Sequence, residues 1–204
     1  MPYAVRPDIE VDDAMRTNTL HIYAIGDVTA GMRLAHVASA QAVIAAKTIA
    51  GKKPEALNYD DIPRCTYTHP EVASVGLTER QALERGYAVV KARCPFVANG
   101  KAMDDNGGFV KIVAEKKSKK LLGVHLLGCH VTELVAGVSG MIHQNSDALQ
   151  MGAAVYPHPT MSEAIMAAAH RLCGHTIHIQ RKIEWSRCLT VRCSSIARQR
   201  EDTR

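Results

Sequence analysis

Apolar positions in this chain fall into short runs separated by glycines and charged clusters, and their period changes along the sequence. Leu20-His21-Ile22-Tyr23-Ala24-Ile25 is a short apolar run closed by Gly26-Asp27, which predicts a buried strand and a turn. Residues 35–50 are Ala-rich and lack Gly and Pro, the composition of a helix packed closely on a sheet. Gly51 and then Pro54 stop it.

Further on, residues 72–75 predict a short strand, and Thr78-Glu79-Arg80-Gln81 reads as a capping box opening a helix that Gly86 ends. Residues 88–97 predict another strand. Residues 108–114 and 121–128 flank the lysine-rich turn 115–120 as a β-hairpin. Residues 131–144 and about 161–173 read as helices. Strands that follow one another, with helices grouped around them, predict an α+β fold with an antiparallel sheet and flanking helices. The chain divides into residues 1–57, 58–178 and a tail, 179–204, with no sustained period, which predicts poor order there.

Composition narrows this picture. Of 204 residues, 47% are hydrophobic and 22% charged, so a globular core is expected and wholesale disorder is excluded. Net charge is +5, with several of the positive residues in the tail, which argues against a dedicated nucleic-acid binder. No apolar run reaches the roughly 18 residues of a membrane span. The N-terminus has no apolar signal core, so the expected location is cytoplasmic. The six cysteines are scattered, as free thiols in a reducing compartment would be. Cys188 and Cys193 form a loose pair in the tail, read as idle thiols. Cys129, His130, Cys173 and His175 lack a zinc-ligand spacing, so no metal site is expected.

Two clusters have chemical potential. The first is Tyr156-Pro157-His158-Pro159-Thr160-Met161-Ser162-Glu163. Prolines on both sides restrain His158. Glu163, at a helix start, is placed to reach back to the imidazole, fix its tautomer and leave the other nitrogen as a base. Thr160 and Glu163 also have capping-box spacing, so the carboxylate has a structural use that is compatible with the first. The second is the Gly26-Asp27 turn, followed by Leu34-Ala35-His36 at a helix start. It offers a carboxylate acceptor and free backbone N–H groups to a ligand, or is an ordinary strand–turn–helix.

In combination these segments resemble the flavin-dependent pyridine nucleotide–disulfide oxidoreductases. Residues 17–27 with Leu34-Ala35-His36 look like their second FAD-contacting segment. Tyr67-Thr68-His69-Pro70-Glu71-Val72-Ala73-Ser74-Val75-Gly76-Leu77-Thr78-Glu79 is similar to the opening of their interface domain. Gly108-Phe109-Val110-Lys111-Ile112, Leu122-Gly123-Val124-His125 and Glu133-Leu134 follow in family order, and His158-Pro159-Thr160 with Glu163 matches the catalytic His–Glu element. The resemblance covers residues 7–179 and is greatest to the dihydrolipoamide dehydrogenase branch.

It implies that residues 1–57 close an FAD-binding domain, contributing its last strand and helix, and that 58–178 form the interface domain, through which a homodimer assembles. Asp27 would bind the ribityl chain of FAD, and Leu34, Ala35 and His36 would contact the flavin through their backbone. His158 would be the acid/base toward a dihydrolipoamide thiol, oriented by Glu163 and acting on the other subunit's flavin and disulfide. The implied substrate is the lipoyl domain of a 2-oxoacid dehydrogenase or glycine cleavage complex.

The chain departs from that pattern in three ways. The FAD glycine fingerprint, the NAD domain and the redox disulfide have no counterpart here, so only part of the FAD site and none of the NAD site is expected, and the chain alone should not turn over. Tyr156 stands where the branch commonly has another histidine. The tail matches nothing in the family. A stand-alone dimerisation or binding module, and another flavin disulfide reductase such as glutathione reductase, are the competing readings. Mercuric reductase lacks the histidine.

Overall fold

A computed structural model describes residues 8–98 and 107–175. Cys188, Cys193 and the rest of the tail lie outside the described residues. The chain divides into two compact units between Arg64 and Cys65.

In the first unit the main element is helix α1, Ala35–Ile49. It buries Val37, Gln41, Ile44, Ala45 and Thr48, a stripe with helical spacing, and Met15, Val11, Tyr23 and Leu57 join Ile44 and Ala45 in one apolar cluster. Gly51, at φ 74°, ends it as the sequence predicts. The Gly51 N–H donates to Thr48 O and the Lys52 N–H to Lys47 O, which caps two otherwise orphan carbonyls.

The strand predicted over residues 20–25 does not form. Only Tyr23 pairs, through an isolated antiparallel bridge to Arg16, and Leu20 is 85% exposed. The reason is local. Thr17 N–H and Thr17 Oγ1 both donate to Ile22 O, at 3.1 and 3.0 Å, folding residues 17–22 into a turn, and a side-chain bond of this kind competes with a ladder. A turn of 3₁₀ helix, Gly26–Val28, follows.

The second unit is built on a five-stranded sheet in the order β1-β2-β5-β4-β3. The strands are β1 Arg64–Thr66, β2 Glu71–Gly76, β3 Val89–Pro95, β4 Phe109–Glu115 and β5 Leu121–Gly128. The pairs β2–β5, β4–β5 and β3–β4 are antiparallel, with Val75, Val124, Ile112 and Ala92 aligned across them. The 115–120 turn closes the predicted hairpin, and Glu115 accepts from Ser118 Oγ at 2.6 Å within it.

One sheet face is the core. Ala73, Val75, Ala92, Cys94, Val110, Ile112, Val124 and Leu126 are buried there with Val131, Val135, Val138 and Ile142 of α3 (Val131–His143) and with Ala164, Ile165, Ala168, Ala169 and Leu172 of α5 (Glu163–Cys173). Each fully buried Val, Leu or Ile of this kind contributes about 1.5–3 kcal/mol. Helix α2, Glu79–Glu84, belongs to a separate small cluster in which Ala82 packs with Leu77, Val113 and Leu122. Its Thr78–Gln81 capping box is present as predicted.

A fourth helix, α4 (Ala148–Ala153), was not foreseen. It is short and opens on an Asp147–Gln150 capping box. It packs on α5, and residues 154–162 connect the two. Among the described residues Cys65, Cys94, Cys129 and Cys173 form no disulfide, and burial pushes the thiols of Cys65, Cys94 and Cys173 up. No helix among the described residues is long and apolar enough to cross a membrane.

Candidate active site

His158 is the middle residue of the 154–162 loop, and its ring is 79% exposed. Its Nδ1 lies 2.9 Å from Glu163 Oε1. A carboxylate only accepts, so Nδ1 carries a proton, and in the neutral ring Nε2 holds the lone pair. The second oxygen, Oε2, accepts from the Thr160 N–H at 2.9 Å. The carboxylate is only 22% exposed, so little water competes for it. Both His158–Pro159 and His69–Pro70 are cis.

The Glu163 carboxylate on the Thr160 N–H is one half of the capping box expected there. Helix α5 starts at Glu163 with Ser162 as its cap, so Glu163 is its first residue rather than its third. The Thr160 hydroxyl donates to Pro157 O at 2.7 Å. The carboxylate therefore reaches back to both the backbone and the imidazole.

The loop is held at its base. Tyr156 Oη donates to Met151 O at 3.2 Å, and His170 Nε2 donates to Gly152 O at 2.9 Å. The sequence marks Tyr156 only as an unusual residue and does not mark His170. Its partner is a backbone carbonyl on another helix, which no local spacing announces.

In the first unit Asp27 is exposed within the Gly26–Val28 turn. Gly26 has φ 74°, and a Cβ added there would come 3.2 Å from Ala38 Cβ, so the turn lies directly against α1. The Gly26 N–H donates to Gln41 Oε1 at 2.7 Å, and Gln41 Nε2 donates to Tyr59 Oη at 2.9 Å. Gln41 is 2% exposed and was missed by sequence reasoning, although a glutamine on the apolar stripe of a helix is itself a signal. Leu34 caps α1 without a side-chain bond, so the first-turn N–H groups at Ala35 and His36 have no cap from Leu34. The His36 ring is engaged elsewhere and donates from Nε2 to Pro63 O at 2.9 Å. These residues fit a polyhydroxyl ligand with an electron-rich ring edge. They supply an exposed carboxylate, a glycine turn packed closely on α1, and a helix start without a side-chain cap.

Residues 62–169 match the dimerisation domain of the pyridine nucleotide-disulphide oxidoreductases, and residues 3–42 match another domain of the same family. The chain is 49% identical over 173 residues to the dihydrolipoyl dehydrogenase of Mycobacterium leprae and 44% identical over 174 residues to that of Bacillus subtilis. These stretches are 83% of this chain in both cases, and 37% and 36% of the relatives, so the chain spans well under half of their length. LpdA from Mycobacterium tuberculosis superposes with a TM-score of 0.76 at 26% identity, over 81% of this chain and 36% of that one. The Cu(II) complex of the HOCl-induced flavoprotein disulfide reductase RclA from Escherichia coli gives 0.75 at 25% identity, over 83% and 39%. With the antiparallel sheet, its helices and the profile match in agreement, the chain belongs to the pyridine nucleotide-disulphide oxidoreductase family, and its second unit is that family's dimerisation domain.

Proposed function

We propose that this chain is the dimer-forming and acid/base portion of a dihydrolipoyl dehydrogenase. The observation that supports this reading best is the 2.9 Å contact between His158 Nδ1 and Glu163 Oε1, which leaves Nε2 free to take a proton. His158 Nε2 accepts the proton of a dihydrolipoamide thiol as the thiolate forms. Glu163 then stabilises the imidazolium and keeps the ring in one tautomer. His158 later releases this proton to solvent, which resets the base for the next turnover.

FAD, when bound, supplies the two-electron acceptor between the dithiol and NAD. With FAD bound, Asp27 would accept from ribityl hydroxyls, and the start of α1 at Leu34, Ala35 and His36, which has no side-chain cap from Leu34, would offer backbone N–H groups to the flavin. No residue of this chain is assigned to NAD. Residues 1–57 serve as the closing segment of the FAD-binding domain. The dimerisation domain pairs two copies, so that His158 and Glu163 of one subunit serve the flavin and disulfide of the other. The substrate is a lipoyl domain of a 2-oxoacid dehydrogenase or glycine cleavage complex, and the location is cytoplasmic.

The test is a chimera in which residues 3–175 replace the matching segment of the Mycobacterium leprae enzyme. The chimera should bind FAD and turn over dihydrolipoamide, and His158→Gln should lower kcat by about 10² or more with FAD retained. Near-normal turnover of that variant would refute the role of His158. A chimera that folds as a dimer yet neither binds FAD nor turns over would favour a binding module.

A further inference from the structure

The two carbonyls near the end of α4 are the clue. In a helix the last four C=O groups lack an intrahelical partner, and Met151 and Gly152 are among them in α4. Both are satisfied by side chains, Met151 O by Tyr156 and Gly152 O by His170. One donor comes from the loop that carries His158. The other comes from α5, the helix that Glu163 begins.

His170 is held in one form. The Gly152 carbonyl can only accept, so the proton sits on Nε2. Its Nδ1 is buried with no hydrogen-bond partner among the described residues. A bare buried nitrogen is unfavourable, and a phenyl ring would fill the same space without it. What the histidine adds is the Nε2–H donor. Gly152 makes the approach feasible, since a Cβ there would lie 2.8 Å from His170 Cδ2.

We infer that His170 and Tyr156 are positioning residues for the His158–Glu163 pair. By tying the loop to Met151 O and α5 to the adjacent Gly152 O, they fix both ends of the segment across which the imidazole and carboxylate must meet. This inference rests on the acid/base reading above.

The test reads the ring tautomer of His158 directly, by long-range proton–nitrogen NMR of the whole chain at alkaline pH, where the ring is neutral. His158→Gln assigns the signals. In the unaltered chain His158 shows the Nδ1–H form imposed by Glu163. His170→Phe loses that signal in favour of the Nε2–H form, whereas His170→Gln, which keeps a donor near the Nε2 position, retains it. Tyr156→Phe, which keeps the ring and removes only the hydroxyl, also loses the Nδ1–H signal. A folded His170→Phe chain that keeps the Nδ1–H signal overturns the inference and leaves the His–Glu pair intact. Loss of the signal in His170→Gln overturns it too, because packing rather than the donor would then matter. If His170→Phe fails to fold by circular dichroism, Tyr156→Phe decides, and an unchanged signal there overturns the inference. An unaltered chain lacking the Nδ1–H form refutes the pair itself, and both readings fail together.

Discussion

Glu163 divides its carboxylate between His158 Nδ1 and the Thr160 N–H, each at 2.9 Å. One oxygen sets the tautomer and the other sets the loop. Glu163→Ala removes both bonds, and Glu163→Gln removes the charge and one of the two bonds, because its NH2 group cannot accept. In the chimera, Glu163→Gln should lose part of the roughly 10²-fold that the proposed acid/base role assigns to His158, and Glu163→Ala should lose more, with flavin content unchanged in both. The check is kcat at saturating dihydrolipoamide alongside the flavin absorbance. Equal kcat for Glu163→Ala and the unaltered chimera would mean that the contact does no catalytic work.

A second carboxylate ties the sheet to a helix. Glu71, at the start of β2, accepts from the N–H and the hydroxyl of Thr132 in the first turn of α3, at 3.0 and 2.8 Å. These bonds hold its carboxyl below the ordinary 4.5. The folded value is the lower one, so the stabilisation is fully present above about pH 4.5 and is lost as pH falls through the folded value. Glu71→Gln should therefore lower Tm at neutral pH and converge with the unaltered chain in acid. Some acid slope should persist in the variant, because Glu79 and Glu115 are also held low, by Lys91 with Lys111 and by Ser118. Parallel Tm–pH curves for the two chains would remove Glu71 from the account.

What could be read from the sequence follows the range of the interactions. The α2 box at Thr78, the Gly51 stop and the 115–120 hairpin are decided within a few residues, and all three form. The His158–Glu163 contact was legible for the same reason, since the helix start folds one residue back on the other. The 20–25 run was misread because a strand exists only through its neighbours, and here the Thr17 turn takes the backbone instead. Gln41, His170 and Glu71 act on distant backbone groups, so their roles depend on packing that no local pattern encodes. Helix α4 is too short for its period to stand out, although its capping box could have been noticed.

Glycine is needed where β2 leaves the sheet. A Cβ on Gly123 of β5 would lie 2.1 Å from Leu77 O, and one on Gly76 would lie 2.3 Å from Leu122 O. Backbone cannot yield as a side-chain tip does. Gly123→Ala should destabilise the second unit by about 2 kcal/mol or more, as overpacking of a fixed backbone does. The midpoint of urea unfolding measures this, and an unchanged midpoint would show that the two segments are not in close contact.

Gln41 offers the sharpest test of the first unit, because it serves two partners that have no substitute in the chain's described residues. Its Oε1 takes the Gly26 N–H and its Nε2 meets Tyr59 Oη, all from a nearly fully buried side chain. Gln41→Leu keeps the volume and the helix propensity but strands both groups. Gly26 and Tyr59 are half-buried, so each stranded group costs toward the low end of about 1–3 kcal/mol, and a loss of about 1–2 kcal/mol is expected. Adding Tyr59→Phe removes one of the stranded groups, so the double variant should recover part of the loss rather than add to it. The same change frees the Gly26–Asp27 turn from α1, so flavin occupancy of the chimera should fall with Gln41→Leu even after stability is matched by lowering temperature. Strictly additive effects in the unfolding cycle, with occupancy unchanged, would show that Gln41 neither bridges the two groups nor places Asp27.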